Sequence, residues 1–303
     1  MPARVLMPWA DIDLPEGMYA RIYDGNGPPP EDVDEIEFYV LPYDRGPVPA
    51  SLLARMPALK VVQSLSAGVE SLLRRVPRGV QLANGHGLHD LSVAEHALAL
   101  IHASQRELPR WFAQQATGSW AREHTRSLAD SRVLLIGYGA IGKAIERQLV
   151  AAEALVTRVA RTARPVEDVR GIEELPALLP HADIVVLIVP DTPGTRGLLG
   201  AAQLAALPDD ALIVNVGRGT AIDTAALLAE TASGRLRAAL DVLDPEPLPG
   251  DHPLWRVPGV IITPHVAGGS ASFYPRAKRF VAEQLRRFAA DAPLLNVVTT
   301  VSG

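Results

Sequence analysis

The sequence predicts an α/β protein built from two doubly wound parallel sheets. Three observations carry this. Short apolar runs bounded by turn residues recur along the 303-residue chain, and many are separated by stretches with helical spacing. One run, at 133–136, leads into GYGAIG and then a helical pattern. That is the strand, glycine turn and helix a dinucleotide pyrophosphate requires. Finally, 48% of the residues are apolar, enough to bury two cores in a chain long for one.

Composition narrows the function. A formal charge of −5 gives no sign of a nucleic-acid surface, so no nucleic-acid partner is expected. No apolar run is long enough to span a membrane, so no membrane partner is expected either. The start, MPARVLMPWADIDLPEG, lacks the basic segment and apolar core of a signal peptide, and a cytoplasmic location is expected. The absence of Cys excludes disulfides, thiol catalysis and cysteine-ligated zinc. No metal site is expected.

In the first third, residues 4–7, 19–23, 36–40, 59–63 and 80–83 read as strands, and 51–55 and 69–74 as helices. This is a small α/β domain. Its loop 64–70, SLSAGVE, directly follows a strand, where ligands of parallel sheets sit. Its small residues leave backbone N–H groups open to an anion, with a helix starting at Val69. A plain strand-to-helix turn is the other reading. Residues 92–105 form a helix that Ser92 and Glu95 can close with a capping box, with His96, Ala99, Leu100 and Ala103 marking a face. His96 reads as a packed or surface histidine rather than a catalyst. Residues 106–130, with Trp111 and Trp120, show no sheet pattern. They fit an arm covering a subunit interface, or a surface hairpin.

In GYGAIG, Gly137 allows the tight turn, Gly139 lets the backbone approach the phosphates, and Gly142 lets the helix pack on its strand. The helix N-terminus adds N–H groups and partial positive charge. Strands are expected at 155–160, 184–189, 211–216, 236–242 and 260–263, with helices at 172–179, 201–207 and 224–231. The end of the second strand discriminates between nucleotides. An NAD site places an acidic residue there to hold the ribose 2′-hydroxyl. Here Ala160, Arg161 and Thr162 stand instead, with Arg158 and Arg164 close by. Arginine welcomes a 2′-phosphate, so NADP(H) is favoured and NAD(H) stays possible. A solvated arginine turn is the alternative.

Three further strand ends carry polar chemistry: 215–219, 241–247 and 263–268. Arg218, Glu246 and His265 together fit reduction of a carbonyl next to a carboxylate. The arginine can bind the carboxylate and polarise the carbonyl. The histidine can protonate the new alkoxide, with the glutamate holding its ring. Spacing alone also allows three unrelated surface residues.

These motifs resemble the D-isomer-specific 2-hydroxyacid dehydrogenases over nearly the whole chain. The resemblance lies in GYGAIG, in HADIVVLIVPDTPGTRGLLG (181–200), in LPDDALIVNVGRGTAID (207–223), and in ALDVLDPEPLPGDHPLW followed by ITPHVAG. It implies a flavodoxin-like substrate domain from 1–93 and 268–303, and a Rossmann nucleotide-binding domain over 94–267. It implies that Arg218, Glu246 and His265 are catalytic, and that Ala67, Gly68 and Val69 hold the substrate carboxylate through backbone N–H groups, with Arg218 also on the substrate. Tyr138, Ala140 and Ile141 fall at the pyrophosphate turn, Pro190, Val216 and Gly217 line the cofactor, and Asp241 lies near the nicotinamide carboxamide.

The resemblance further implies a homodimer joined through nucleotide domains, and a last helix, 275–290, that returns to the first domain. Departures narrow the choice. The usual strand-two aspartate is replaced by Ala160 and Arg161. No regulatory extension like that of the longer phosphoglycerate enzymes is expected. Glu246 argues against the formate dehydrogenase branch, and the loop around GDHPLW with Trp255 resembles glyoxylate and hydroxypyruvate reductases. The expected activity is NADPH-linked reduction of a small 2-oxoacid to its D-2-hydroxy acid. The alternatives are an NAD-linked dehydrogenase and a nucleotide-sensing binding protein on the same fold.

Overall fold

A computed structural model describes residues 3–43, 50–69 and 71–298. The chain divides into two compact units, Met1–His89 with Ala271–Gly303, and Asp90–Ser270.

The first unit holds β1 (Ala3–Met7), β2 (Met18–Ile22), β3 (Ile36–Val40), β4 (Val61–Gln63) and β5 (Gln81–Ala83). They pair in parallel in the order β5-β4-β3-β1-β2, the flavodoxin order. Strand Val297–Val298 pairs antiparallel on the β5 edge, so the sheet is not wholly parallel. The returning segment covers an edge that would otherwise expose unpaired backbone. Side chains alternate between two cores. Val5, Phe38, Val40 and Val61 pack against helix Phe273–Ala289 through Phe273, Ala277, Val281 and Leu285, a stripe at four-residue spacing. Leu6, Ile36, Tyr39, Val62 and Leu82 fill the other face.

Two expected helices shrink. The segment 51–55 becomes α1 (Ala50–Leu53). In the segment 69–74 the described residues 71–74 form turns, with Leu72 N donating to Val69 O at 2.9 Å and Arg75 N to Leu72 O at 2.8 Å. Pro77 follows three residues after Arg74 and stops these turns from extending into a longer helix. Glu70 lies outside the described residues.

The second unit begins with α2 (Asp90–Gln105) and α3 (Leu108–Thr117). Strands β6 (Arg132–Ile136), β7 (Leu155–Ala160), β8 (Val169–Gly171), β9 (Ile184–Leu187), β10 (Leu212–Asn215), β11 (Arg237–Leu240) and β12 (Val260–Ile262) alternate with α4 (Ala140–Ala151), α5 (Leu175–Leu178), α6 (Ala201–Ala205) and α7 (Thr224–Ala232). The sheet is parallel, in the order β12-β11-β10-β9-β6-β7-β8. Its winding reverses between β6 and β9, the topological switch point where ligands of such sheets sit. Ala97, Ile101, Ala144, Ile145 and Leu149 cover one face, and Leu175, Leu179, Leu204 and Leu227 the other.

Here too the structure corrects local readings. Helix α2 starts at Asp90, so Ser92 is internal and buried, and its Oγ meets Ser270 Oγ at 2.5 Å. It does not cap with Glu95. The buried stripe runs through Val93, Ala97, Leu100, Ile101 and Ser104, while Ala99 is exposed. Residues 172–179 break into α5 flanked by 3₁₀ turns, because Pro176 and Pro180 remove donors from a continuous helix. The arm 106–130 is not a hairpin. Helix α3 forms its first part, leaving Phe112 and Trp120 63% and 91% exposed.

Candidate active site

The turn between β6 and α4 sits at the switch point. Gly137 has φ 109°, and a Cβ there would fall 2.1 Å from Ile188 O, beside the end of β9. Gly142 is equally tight, 2.2 Å from Gly137 O. Both glycines are therefore required by the chain's own packing. Gly139 is different: a Cβ there would meet nothing within 4 Å. Its lack of a side chain leaves the backbone open at the N-terminus of α4, where Ala140 and Ile141 begin the helix and the first-turn N–H groups have no intrahelical acceptor.

Tyr138 gathers cations. Lys143, Arg158 and Arg164 lie 5.6, 5.7 and 5.4 Å from its ring centroid. The buried Glu146 carboxylate accepts from both Tyr138 Oη and Arg158 Nε. Arg164 donates to Tyr138 O at 2.8 Å and pairs with Glu167 at 3.4 Å. Of the three arginines near the end of β7, two are thus committed to protein partners. Arg161 is exposed and makes no hydrogen bond or ion pair with the described residues, and Thr162 beside it is exposed.

The later strand ends are held by buried polar residues. Asn215, fully buried, accepts from Gly217 N at 3.0 Å and donates to Arg218 O at 3.0 Å. This sets the turn carrying Arg218, whose guanidinium donates to Gly217 O at 2.8 Å. Val216 is buried, and Gly217 packs on the Val189 backbone next to exposed Pro190. After β12, His265 Nδ1 and Glu246 Oε1 lie 2.5 Å apart. Both side chains are half exposed, at 49% and 42%. Among the described residues Arg218 pairs with neither, so the structure joins the histidine and glutamate but shows no direct link to the arginine.

His265 stands at φ 53°, a left-handed conformation uncommon for a non-glycine residue. Its N–H donates to Asp241 O at 2.8 Å. The Asp241 side chain is the brace of this turn. It is 1% exposed and accepts from Thr263 Oγ1 at 2.5 Å, Val266 N at 2.9 Å and Ala267 N at 2.9 Å. His96 Nε2 lies 3.3 Å from the same carboxylate and 2.9 Å from Thr263 Oγ1. Sequence reasoning set His96 aside and did not single out Thr263 or Asn215. The available signal for His96 was only a polar residue bordering the apolar stripe of α2.

Burial pushes the Asp241 carboxyl up, but hydrogen bonds from His96, Thr263 and the backbone of Ala267 and Val266 outweigh it and bring it down to about 2. Its folded value thus lies below the ordinary 3.8. A depressed carboxyl stabilises the fold above its unfolded value and loses that stabilisation as pH falls. We expect about 2 kcal/mol to vanish between roughly pH 4 and pH 2. Urea unfolding across that range should show a steeper loss in the wild type than in Asp241→Asn. Equal slopes would remove Asp241 from this role.

In the first unit, residues 66–69 follow β4 in a bend. Ser66 O accepts from Gly85 N at 2.8 Å. The N–H groups of Ala67, Gly68 and Val69 have no acceptor among the described residues. Successive unpaired N–H groups in a bend form a concavity suited to an anion. The described residues after Val69 form no helix that could add its N-terminus here.

Residues 98–267 match the family profile of the D-isomer specific 2-hydroxyacid dehydrogenase NAD binding domain. Glyoxylate/hydroxypyruvate reductase A of Photorhabdus laumondii is 30% identical over 254 residues, covering 79% of this chain and 80% of the relative. D-3-phosphoglycerate dehydrogenase of Mycobacterium tuberculosis is 34% identical over 247 residues, 79% of this chain, but the chain spans only 47% of that longer protein. A D-isomer specific 2-hydroxyacid dehydrogenase from Xanthobacter autotrophicus, solved with NADPH and MES, superposes with a TM-score of 0.81 at 32% identity, covering 99% of this chain and 98% of the other. An NADPH-dependent glyoxylate/hydroxypyruvate reductase from Sinorhizobium meliloti, solved with NADP and sulfate, gives 0.83 at 29% identity, with 99% of both chains covered. The chain therefore belongs to the D-isomer-specific 2-hydroxyacid dehydrogenases and is an NAD(P)-dependent oxidoreductase of that family.

Proposed function

We propose that the protein reduces a small 2-oxoacid, glyoxylate or hydroxypyruvate first among candidates, to the D-2-hydroxy acid with NADPH. The observation that carries this is the His265–Glu246 pair at 2.5 Å, on a turn braced by Asp241. Glu246 occupies Nδ1 and so leaves Nε2 of His265 to serve the substrate oxygen. Bound NADPH supplies the hydride to C2. His265 gives the proton that completes the hydroxyl. Arg218 binds the oxoacid and polarises its carbonyl, and the N–H groups of Ala67, Gly68 and Val69 take the carboxylate. Tyr138, Ala140, Ile141, Pro190, Val216, Gly217 and Asp241 serve the cofactor side, and α3 with Trp120 forms the arm of a homodimer.

The cofactor preference is supported by Arg161, unpaired where an NAD site carries a carboxylate, and by the NADP(H) bound in two of the similar structures. Arg161→Ala should lower kcat/KM for NADPH by about 10- to 100-fold and barely move that for NADH, as expected for losing a charge-assisted contact to one phosphate. A wild-type preference for NADH refutes it. The deciding experiment is a panel of 2-oxoacids assayed with both reduced cofactors, with D-3-phosphoglycerate plus NAD⁺ as the arm that tests the activity named for the longer relatives.

A further inference from the structure

We propose that Gln63, Asn84 and His89 are positioning residues that make the loop 64–69 a receptor for the substrate carboxylate. This rests on the role given to Ala67, Gly68 and Val69 above. A peptide loop carries as many carbonyl oxygens as N–H groups, and an anion is repelled by the first and held by the second. Here four successive carbonyls are each drawn back into the protein. Gln63 Nε2 donates to Ser64 O at 2.7 Å, His89 Nε2 bonds Leu65 O at 2.8 Å, Gly85 N donates to Ser66 O at 2.8 Å, and Asn84 Nδ2 donates to Ala67 O at 2.9 Å. A carbonyl can only accept, so His89 carries its proton on Nε2 in this contact. With these four carbonyls engaged, and Val69 O accepting from Leu72 N at 2.9 Å, Gly68 O is the one loop carbonyl without a partner among the described residues, and it stands beside the N–H groups of residues 67–69.

The three side-chain anchors are themselves held. The buried His89 ring stacks on Phe273, centroids 4.7 Å apart and planes 13° from parallel. Gln63 Oε1 accepts from Gln284 Nε2 at 2.6 Å, both residues being fully buried, and Gln284 Oε1 accepts from Leu295 N at 2.8 Å. Asn84 Oδ1 accepts from His86 N at 3.1 Å. Each amide is therefore locked in one orientation, with its NH₂ toward the loop. Removing an anchor frees a carbonyl to turn toward the anion, so the loss should fall on the oxoacid and not on the cofactor.

The test uses the full chain. Steady-state kinetics with glyoxylate at saturating NADPH are measured for His89→Phe, His89→Gln and Asn84→Ala, alongside NADPH binding by fluorescence and melting temperature. We expect His89→Phe and Asn84→Ala to raise the glyoxylate KM about tenfold, with a smaller change in kcat and the same NADPH Kd. His89→Gln should restore most of the KM, because its amide nitrogen can take the place of Nε2. A lower melting temperature with an unmoved KM, in an active wild-type background, overturns the proposal alone. A wild type that binds NADPH but reduces no 2-oxoacid overturns the proposed function and this proposal with it. Should His89→Phe fail to fold, Asn84→Ala at its half-buried site reads the same KM.

Discussion

On the proposed mechanism, His265→Ala should lower kcat for 2-oxoacid reduction by about 10²- to 10⁴-fold, the range expected when a positioned general acid is lost, and should leave NADPH binding intact. The histidine does not pack in a core. Its ring is half exposed and, among the described residues, its side chain bonds only to Glu246, so its removal leaves no cavity and little reason to unfold. Hydride addition makes an alkoxide, and without a donor at hand that charge must be quenched by water. Glu246→Gln is the milder change, since an amide can still contact Nδ1 and hold the ring. Steady-state rates on every accepted oxoacid decide this. A variant with the wild-type kcat removes His265 from the mechanism.

Arg218→Ala should lower kcat by about 10²- to 10³-fold, as for loss of a preorganised donor at a developing oxyanion, and raise the oxoacid KM as well. Arg218 uses one guanidinium nitrogen on Gly217 O and leaves its other donors free among the described residues. Asn215 holds the carbonyl of Arg218 itself, so the side chain leaves a fixed turn. One group that grips both carboxylate and carbonyl acts in ground and transition states alike, and both kinetic constants should suffer. Arg218→Lys should recover little, because an ammonium cannot reproduce the planar fork. A change confined to KM would restrict Arg218 to binding.

Much of this was legible in the chain. The runs VLLI and IVVL read as doubly covered parallel strands because no polar residue interrupts them, and they are β6 and β9. GYGAIG marked its turn because glycine at 137 and 142 answers to close packing. What escaped was set by contacts distant in sequence. His96 looked like any polar residue on an amphipathic helix, and its place beside Asp241 and Thr263 exists only once α2 lies along the ends of β11 and β12. The edge strand β8 is three residues of mixed polarity, too short for a period. Residues 69–74 carried a helical spacing that the turns around Val69 and Leu72 override. Arg158 and Arg164 could not be told from Arg161 until Glu146 and Tyr138 were seen to occupy them.

The backbone at His265 has a consequence for anyone altering this protein. At φ 53° the turn would be most at ease with glycine or asparagine, and seating histidine there costs on the order of 1 kcal/mol. A stabilisation campaign guided by backbone preference would select position 265 early and, in succeeding, erase the proposed proton donor. On the proposed mechanism the most durable protein and the most active one differ at this residue, and the Asp241 bonds to Thr263, Val266 and Ala267 help hold the turn that carries it.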